Sequence, residues 1–316
     1  MKQKILALGS ADVNVAMDLA QLPQAGETLT DNGSLNVTNG GKASNTAVAL
    51  SRLGAKVFLC SRVGDDAYGK RLVKLYNENK IDVSFVEIDR DFRTGVAVTI
   101  KERDSKERRV LYRGANLNLT PEDAIRAMSC EPEAFYLDLE LSFPIAETAI
   151  KYAKRHEIPI FFNASPADKN YPLSALPKID FFFVNEKDAH EYSGILPTSA
   201  ESALRSAVEL QKYVQASYYI IRLGDKGAFI YDGKYYHMVS SYTVRIADNL
   251  ASDEIFSGAF LLEYLRNGKN IISACKYANA AVALSLQKFG TTASMPYHEE
   301  VINFIAKKDF PIIEKI

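Results

Sequence analysis

The chain is poor in the residues that metal sites and disulfide frameworks require, and it lacks the long apolar runs of membrane spans. Its three cysteines, Cys60, Cys130 and Cys275, are odd in number, far apart and without metal-ligand spacing. That pattern fits reduced core thiols of an intracellular protein and argues against a disulfide scaffold or a structural zinc. The four histidines, His156, His190, His237 and His298, show no i/i+4 pairing, and there is no G-x-S-x-G elbow, which weighs against metal-hydrolase and serine-hydrolase chemistry. Neither sign of charge dominates. With 38 basic and 39 acidic residues the formal charge is −1, so nucleic acid and anionic membrane surfaces gain no general attraction, and a small molecule is the expected partner. No apolar run approaches the length of a membrane span. The opening MKQKILALGS turns polar by Gly9 without the apolar stretch and cleavage site of a signal peptide. Cytoplasm is therefore the expected location.

What is present is a large apolar fraction, 47% of 316 residues, enough for one sizeable α/β core. KILALGS (4–10) and AKVFLCSRVG (55–64) read as buried strands with a helical pattern between them, and strand, helix, strand implies a parallel pair. The rhythm continues through strands at 133–140, 158–166, 179–186 and 218–224, with helices in SFPIAETAIKYAKRH and SALRSAVELQKYV. This predicts a doubly wound, mainly parallel sheet flanked by helices. Two long helical segments, SDEIFSGAFLLEYLRNG and NIISACKYANAAVALSLQKFG, are expected to cover one face. Residues 14–39 and 83–116 instead alternate apolar and polar positions with turn signals between them. They predict a small antiparallel β lid, formed by about 12–38 and 88–115, standing over the strands' carboxyl ends. With no repeat or linker, residues 1–316 are expected to form a single domain. Lid strands left exposed can also pair into a homodimer, an expectation that a monomeric mass in solution would remove.

Four stretches can carry chemistry. TNGGKASNTAVALSRLG places Gly40 and Gly41 where backbone can approach a ligand, with Lys42 and Asn45 as donors at a helix N-terminus. It lacks the glycine spacing of a Walker A loop, and a tight strand-to-helix turn explains its glycines but not its Lys and Asn. FFFVNEKDAHEYSG puts Asn185 and Asp188 at a strand end, where both can face a pocket or simply cap a helix. IIRLGDKGAFIYDGKYY reverses after Gly224 as a hairpin turn or a nucleotide shelf. In RIADNLASDEIFSGAFLLEYL a helix begins near Ser252 or Asp253. A carboxylate one turn in can act as a general base, although a good N-cap explains the same residues.

Together, GSADVN, NGGKASNTAVALSRLG, VGDDAYGKRL, TGVAV, GAN, LDLE, NEKDA, RLGDKGA, FSGAF and FGTTASMP occur in an order that resembles the ribokinase-like carbohydrate kinases of the phosphofructokinase B type, over about residues 4–297. The resemblance implies ATP- and Mg²⁺-dependent phosphorylation of a sugar or nucleoside hydroxyl. It implies a sugar site near Asn14, Gly40, Gly41, Lys42, Asn45, Asn116 and Glu140, and a nucleotide site near Asn185, Arg222, Gly224, Ala251, Ser252 and Asn279. Asp188 would stand for the Glu of the family's Asn-x-x-Glu motif, which helps to organise Mg²⁺. The family's D-T-x-G-A-G-D turn corresponds here to Asp248 through Glu254, and both glycines are replaced, by Ala251 and Asp253. Positive φ at either position costs about 1 kcal/mol or more. Asn14 stands where the family usually has Asp, and Arg222 where Thr is common. The expected outcomes are a kinase whose base is Glu254 or Asp253, with Arg222 supplying charge stabilisation, an impaired relative that binds sugar or nucleotide as a sensor or structural partner, or a nucleotide-dependent enzyme of other chemistry.

Overall fold

The computed structural model describes residues 2–30, 33–102, 107–308 and 313–315. Its strands are β1 (Lys4–Leu8), β2 (Asp12–Leu19), β3 (Leu35–Gly40), β4 (Lys56–Gly64), β5 (Asp82–Asp89), β6 (Gly95–Glu102), β7 (Glu107–Tyr112), β8 (Ala134–Asp138), β9 (Ile160–Asn163), β10 (Ile179–Asn185), β11 (Ala216–Arg222), β12 (Ala228–Tyr231), β13 (Tyr236–Val239) and β14 (Ile313–Lys315). Its helices are α1 (Lys42–Arg52), α2 (Ala67–Glu78), α3 (Pro121–Ala127), α4 (Phe143–Arg155), α5 (Glu186–Ser193), α6 (Ala200–Leu210), α7 (Ser252–Arg266), α8 (Ile271–Ser285), α9 (Thr291–Ser294) and α10 (His298–Ala306).

The larger sheet runs β14, β13, β12, β11, β10, β9, β8, β1, β4, β5. From β11 to β5 its strands are parallel, and β12, β13 and β14 add antiparallel neighbours. Burial on both faces explains the unbroken apolar runs. Along β1, Ile5 and Ala7 join the core beneath α1, α7 and α8, while Leu6 and Leu8 join the core beneath α3, α4, α5 and α6. Side chains of a strand point alternately to the two faces, so a strand covered on both sides has no polar phase.

The smaller sheet runs β3, β2, β6, β7. Its outer pairs are antiparallel and its central pair, β2 with β6, runs parallel from Asp12↔Gly95 to Leu19↔Glu102. Leu35, Val110 and Tyr112 lie exposed on it. The alternating stretch that begins at residue 83 does not all belong here. Its first strand, β5, pairs in parallel with β4 and forms an edge of the larger sheet. Most of its side chains are only half-buried, which gives a main-sheet strand the alternation of a half-exposed one. Parts of the two lid segments, residues 31, 32 and 103–106, lie outside the described residues. No helix among the described residues is long and apolar enough to cross a membrane.

Candidate active site

The site lies where β1, β8, β10 and β11 end, at the carboxyl edge of the parallel strands, which is where open α/β sheets place ligands. Its first half is built on the turn from β3 into α1. Gly41 has φ 86, and a Cβ there would come 2.5 Å from the Ser10 carbonyl oxygen; at Gly40 it would come 2.6 Å from Asn14 Oδ1. Both glycines therefore let the segment after β1 and the Asn14 side chain press against the turn. Ser10 caps α1 from outside: its Oγ accepts from the Lys42 amide at 2.9 Å, and its carbonyl accepts from the Ser44 amide at 3.1 Å. The same hydroxyl donates to Glu140 Oε2.

Lys42 Nζ reaches across to Glu254 Oε1 at 3.1 Å. Burial alone would lower the pKa of this ammonium, but the carboxylates of Glu254, Glu140 and Asp253 raise it above the usual lysine range. Beside it, the Asn14 amide nitrogen donates to the Asn39 carbonyl at 3.4 Å. Three buried amide oxygens, Asn14 Oδ1, Asn39 Oδ1 and Asn45 Oδ1, accept no hydrogen bond. An unsatisfied buried acceptor costs about 1–3 kcal/mol. Asn14 and Asn45 suit a ligand rich in hydroxyl donors, whereas Asn39, level with Val13 on the opposite face of the strand, turns to Thr292.

Asn116 has a different task. Its Oδ1 accepts from the Ala11 amide at 3.0 Å, and its Nδ2 donates to Asp12 Oδ1 at 2.7 Å and to the carbonyls of Ala11 and Arg113 at 3.1 and 3.0 Å. It is a strut for Asp12, with its polar atoms already engaged. Asp12, Asp138 and Glu140 gather at this end. Burial, then Glu140 and Asp138, raise the Asp12 carboxyl well above the usual range, and burial, then Glu140, push Asp138 up to about 8.

The second half surrounds the start of α7. Ala251, which precedes the helix, has φ 58 and offers no side-chain cap. The positive φ foreseen at both 251 and 253 occurs at Ala251 alone, because Asp253 already lies within the helix. Asp253 engages the other side of the cleft. Its Oδ1 takes a short contact from Arg222 Nη1, and its Oδ2 accepts from Asn185 Nδ2 at 3.0 Å. Burial opposes ionisation of Asp253, but Arg222, Lys42 and Asn185 hold its carboxyl below the usual range. Arg222 Nη1 also donates to Ser252 Oγ at 3.2 Å, and its guanidinium lies 5.4 Å from the centre of the Phe256 ring.

Asn185 both caps and connects, because its Oδ1 accepts from the Asp188 amide at 2.9 Å while its nitrogen holds Asp253. Asp188 Oδ1 accepts from the Ala167 amide at 2.8 Å, and its buried Oδ2 has no partner of good geometry, although the Ser165 side chain lies close enough to act on the carboxyl. Burial raises this carboxyl above the usual range. Gly224, with φ 53, opens the turn after β11, and the nearest group to a Cβ there would be the Glu186 carboxylate, 3.6 Å away. Asn279 stands further back: its Nδ2 donates to the carbonyls of Val239 and Ser240, both at 3.1 Å, and so secures the end of β13.

The structure thus gathers Asn14, Gly40, Gly41, Lys42, Asn45, Glu140 and Glu254 on one side, and Asn185, Arg222, Gly224, Ala251, Ser252 and Asp253 on the other. Asn116 and Asn279 support them. Sequence reasoning missed Ser10, Asp12, Asp138 and Glu186 as individuals, although GSADVN, LDLE and NEKDA contain them. Among the described residues no three His, Cys, Asp or Glu side chains converge as a metal cage. A Mg²⁺ ion that travels with phosphates needs only one or two carboxylates, and the orphaned Oδ2 of Asp188 suits that sparse role.

A doubly wound sheet with a small sheet beside a two-part polar cleft is the architecture of the ribokinase-like carbohydrate kinases. The profile of the pfkB family carbohydrate kinase matches residues 2–297, and the chain belongs to that family. It is 29% identical over 303 residues to a ribokinase of Staphylococcus aureus (strain COL), covering 95% of this chain and 99% of that protein. It is 28% identical over 304 residues to a deoxyribokinase of Salmonella typhi, covering 96% and 98%. Its fold matches the structure of an Arabidopsis thaliana ribokinase complexed with ribose and ATP, with a TM-score of 0.89, 22% identity, and 98% and 100% of the two chains covered. The relatives are sugar kinases, and the sensor reading gains no support from them.

Proposed function

We propose that this chain transfers the γ-phosphoryl group of ATP to a hydroxyl of a small sugar or nucleoside, with Glu254 as the base. The observation that carries this reading is the division of two neighbouring carboxylates. Glu254 turns to Lys42 and the sugar loop, and Asp253 turns to Arg222 and Asn185. A hydroxyl entering between Lys42 and Glu254 can accept from the ammonium and donate to the carboxylate. As its oxygen bonds to phosphorus, the P–O bond to the departing diphosphate breaks and the proton passes to Glu254. The orphaned amide oxygens of Asn14 and Asn45 accept the other hydroxyls. Asn116 and Ser10 hold Asp12 and Glu140 in register. Mg²⁺ held by Asp188 would neutralise phosphate charge. The smaller sheet acts as the lid that excludes water, and its exposed Leu35, Val110 and Tyr112 favour pairing of two copies through it.

A panel of pentoses, hexoses and nucleosides with Mg-ATP is expected to show substrate-dependent ADP release. Glu254→Gln should lower kcat at least a hundredfold while leaving sugar binding within a fewfold. ADP release that is unaltered in the variant, or absent with every acceptor, refutes the assignment.

A further inference from the structure

Two residues of this site are unexpected on their own: an acidic side chain in the first turn of α7 and an arginine at the end of β11. The structure brings them together. Arg222 Nη1 contacts Asp253 Oδ1 and also donates to Ser252 Oγ at 3.2 Å, so the guanidinium lies across the opening of α7. The other oxygen of Asp253 is held by Asn185 Nδ2 at 3.0 Å. Asp253 thus occupies, with its negative charge, the guanidinium of Arg222, while the other cation that contacts α7, Lys42, is engaged with Glu254. Arg222 has a second support, the face of Phe256 at 5.4 Å, which does not depend on Asp253. No side chain caps the helix, and Ala251 is held in the left-handed region. Gly224, two residues beyond Arg222, has the Glu186 carboxylate as the nearest group to its missing side chain, at 3.6 Å.

We propose that Asp253 and Arg222 form an exchangeable latch. In the free protein the carboxylate holds the guanidinium, and the terminal phosphate of a nucleoside triphosphate takes it over. The inference rests on the nucleotide side of the kinase reading and adds to it a competitor built into the chain. Asp253 is an internal stand-in for phosphate, and Arg222 is the group it releases. A phosphate offers more charge and more acceptor oxygens than a carboxylate, so it wins the guanidinium when bound. Asn185 retains the displaced carboxylate, so no charge is left without a partner.

A merely structural ion pair and a latch respond differently to substitution. Removing either partner of a structural pair loosens the same region, and affinity moves in one direction. In a latch the two partners act with opposite sign. Calorimetric titration with ATP is expected to show about tenfold tighter binding to Asp253→Asn, which keeps the shape and one acceptor oxygen and loses the competing charge. Arg222→Gln should bind about tenfold more weakly, the worth of one charge-assisted hydrogen bond. Adenosine, which carries no phosphate, should shift less than twofold in both. Arg222→Lys keeps the charge without the fork and should fall between, which retains a reading if the glutamine variant fails to fold. Shifts of the same sign in Asp253→Asn and Arg222→Gln, or equal shifts for ATP and adenosine, overturn the latch. Turnover by the wild-type protein without these shifts overturns the latch and leaves the kinase reading standing; the shifts without turnover do the reverse. Failure of the wild-type protein to bind ATP at millimolar concentration overturns both.

Discussion

At the scale of single residues, Asp138 shows how an acid can be tuned by what it lacks. It is fully buried, accepts from the Glu140 amide at 3.0 Å, and has Glu140 as a like-charged neighbour. With a folded value of about 8 against roughly 3.9 in an unfolded chain, the native state retains a proton that the unfolded state releases. Its contribution is present below the unfolded value and drains away as pH rises towards 8. Asp138→Asn removes the titration. The wild-type melting temperature should therefore fall more between pH 5 and pH 8 than that of Asp138→Asn, and parallel pH profiles for the two proteins in thermal denaturation would show the group to be unperturbed. The residue scale is also where the sequence was least explicit. Asp253 and Glu254 are chemically alike and adjacent, and nothing linear tells them apart. They separate only because successive helical positions point about 100° apart, one to each half of the cleft. Asn116 misled for the opposite reason, since an amide near a glycine looks like a ligand donor until its four hydrogen bonds to the chain are traced.

At the scale of elements, legibility follows burial. β1, β4, β8, β9, β10 and β11 were readable because strands covered on both faces leave apolar runs that little else produces. The alternation of β5 reads as lid-like although the strand lies in the larger sheet, because an edge strand with half-buried side chains carries the signature of a lid strand. The three residues of β14 are too few to show any period. The start of α7 was readable as a place but not as a conformation. A glycine pattern marked where left-handed backbone is needed, and Ala251 adopts it at φ 58 without being glycine. Ala251→Gly is expected to raise stability by about 0.5–1 kcal/mol, the relief of left-handed backbone set against the greater freedom of the unfolded chain. Urea denaturation measures it, and a loss of stability would mean that the methyl group, which packs against the core, contributes more than the backbone strain removes.

At the scale of the whole molecule, the two halves of the cleft meet on one rod. α7 is buried over its first turns, from Glu254 to Leu262, and lies between α1, which bears the sugar loop, and α8. Its neighbouring carboxylates contact Lys42 on one side and Arg222 on the other. A rigid element that borders two sites cannot be displaced at one without disturbing the other, so the two ligands should exert a mutual thermodynamic linkage. If ATP alters the dissociation constant of the sugar by some factor, the sugar must alter that of ATP by the same factor. Titrations of Glu254→Gln, in which turnover is suppressed, should yield such a factor of about five or more, equal in both orders of addition. Independent binding, with a factor of one, would mean that α7 is only a partition. Measured this way, the helix ceases to be scenery between two subsites and becomes the arm through which each sets the occupancy of the other.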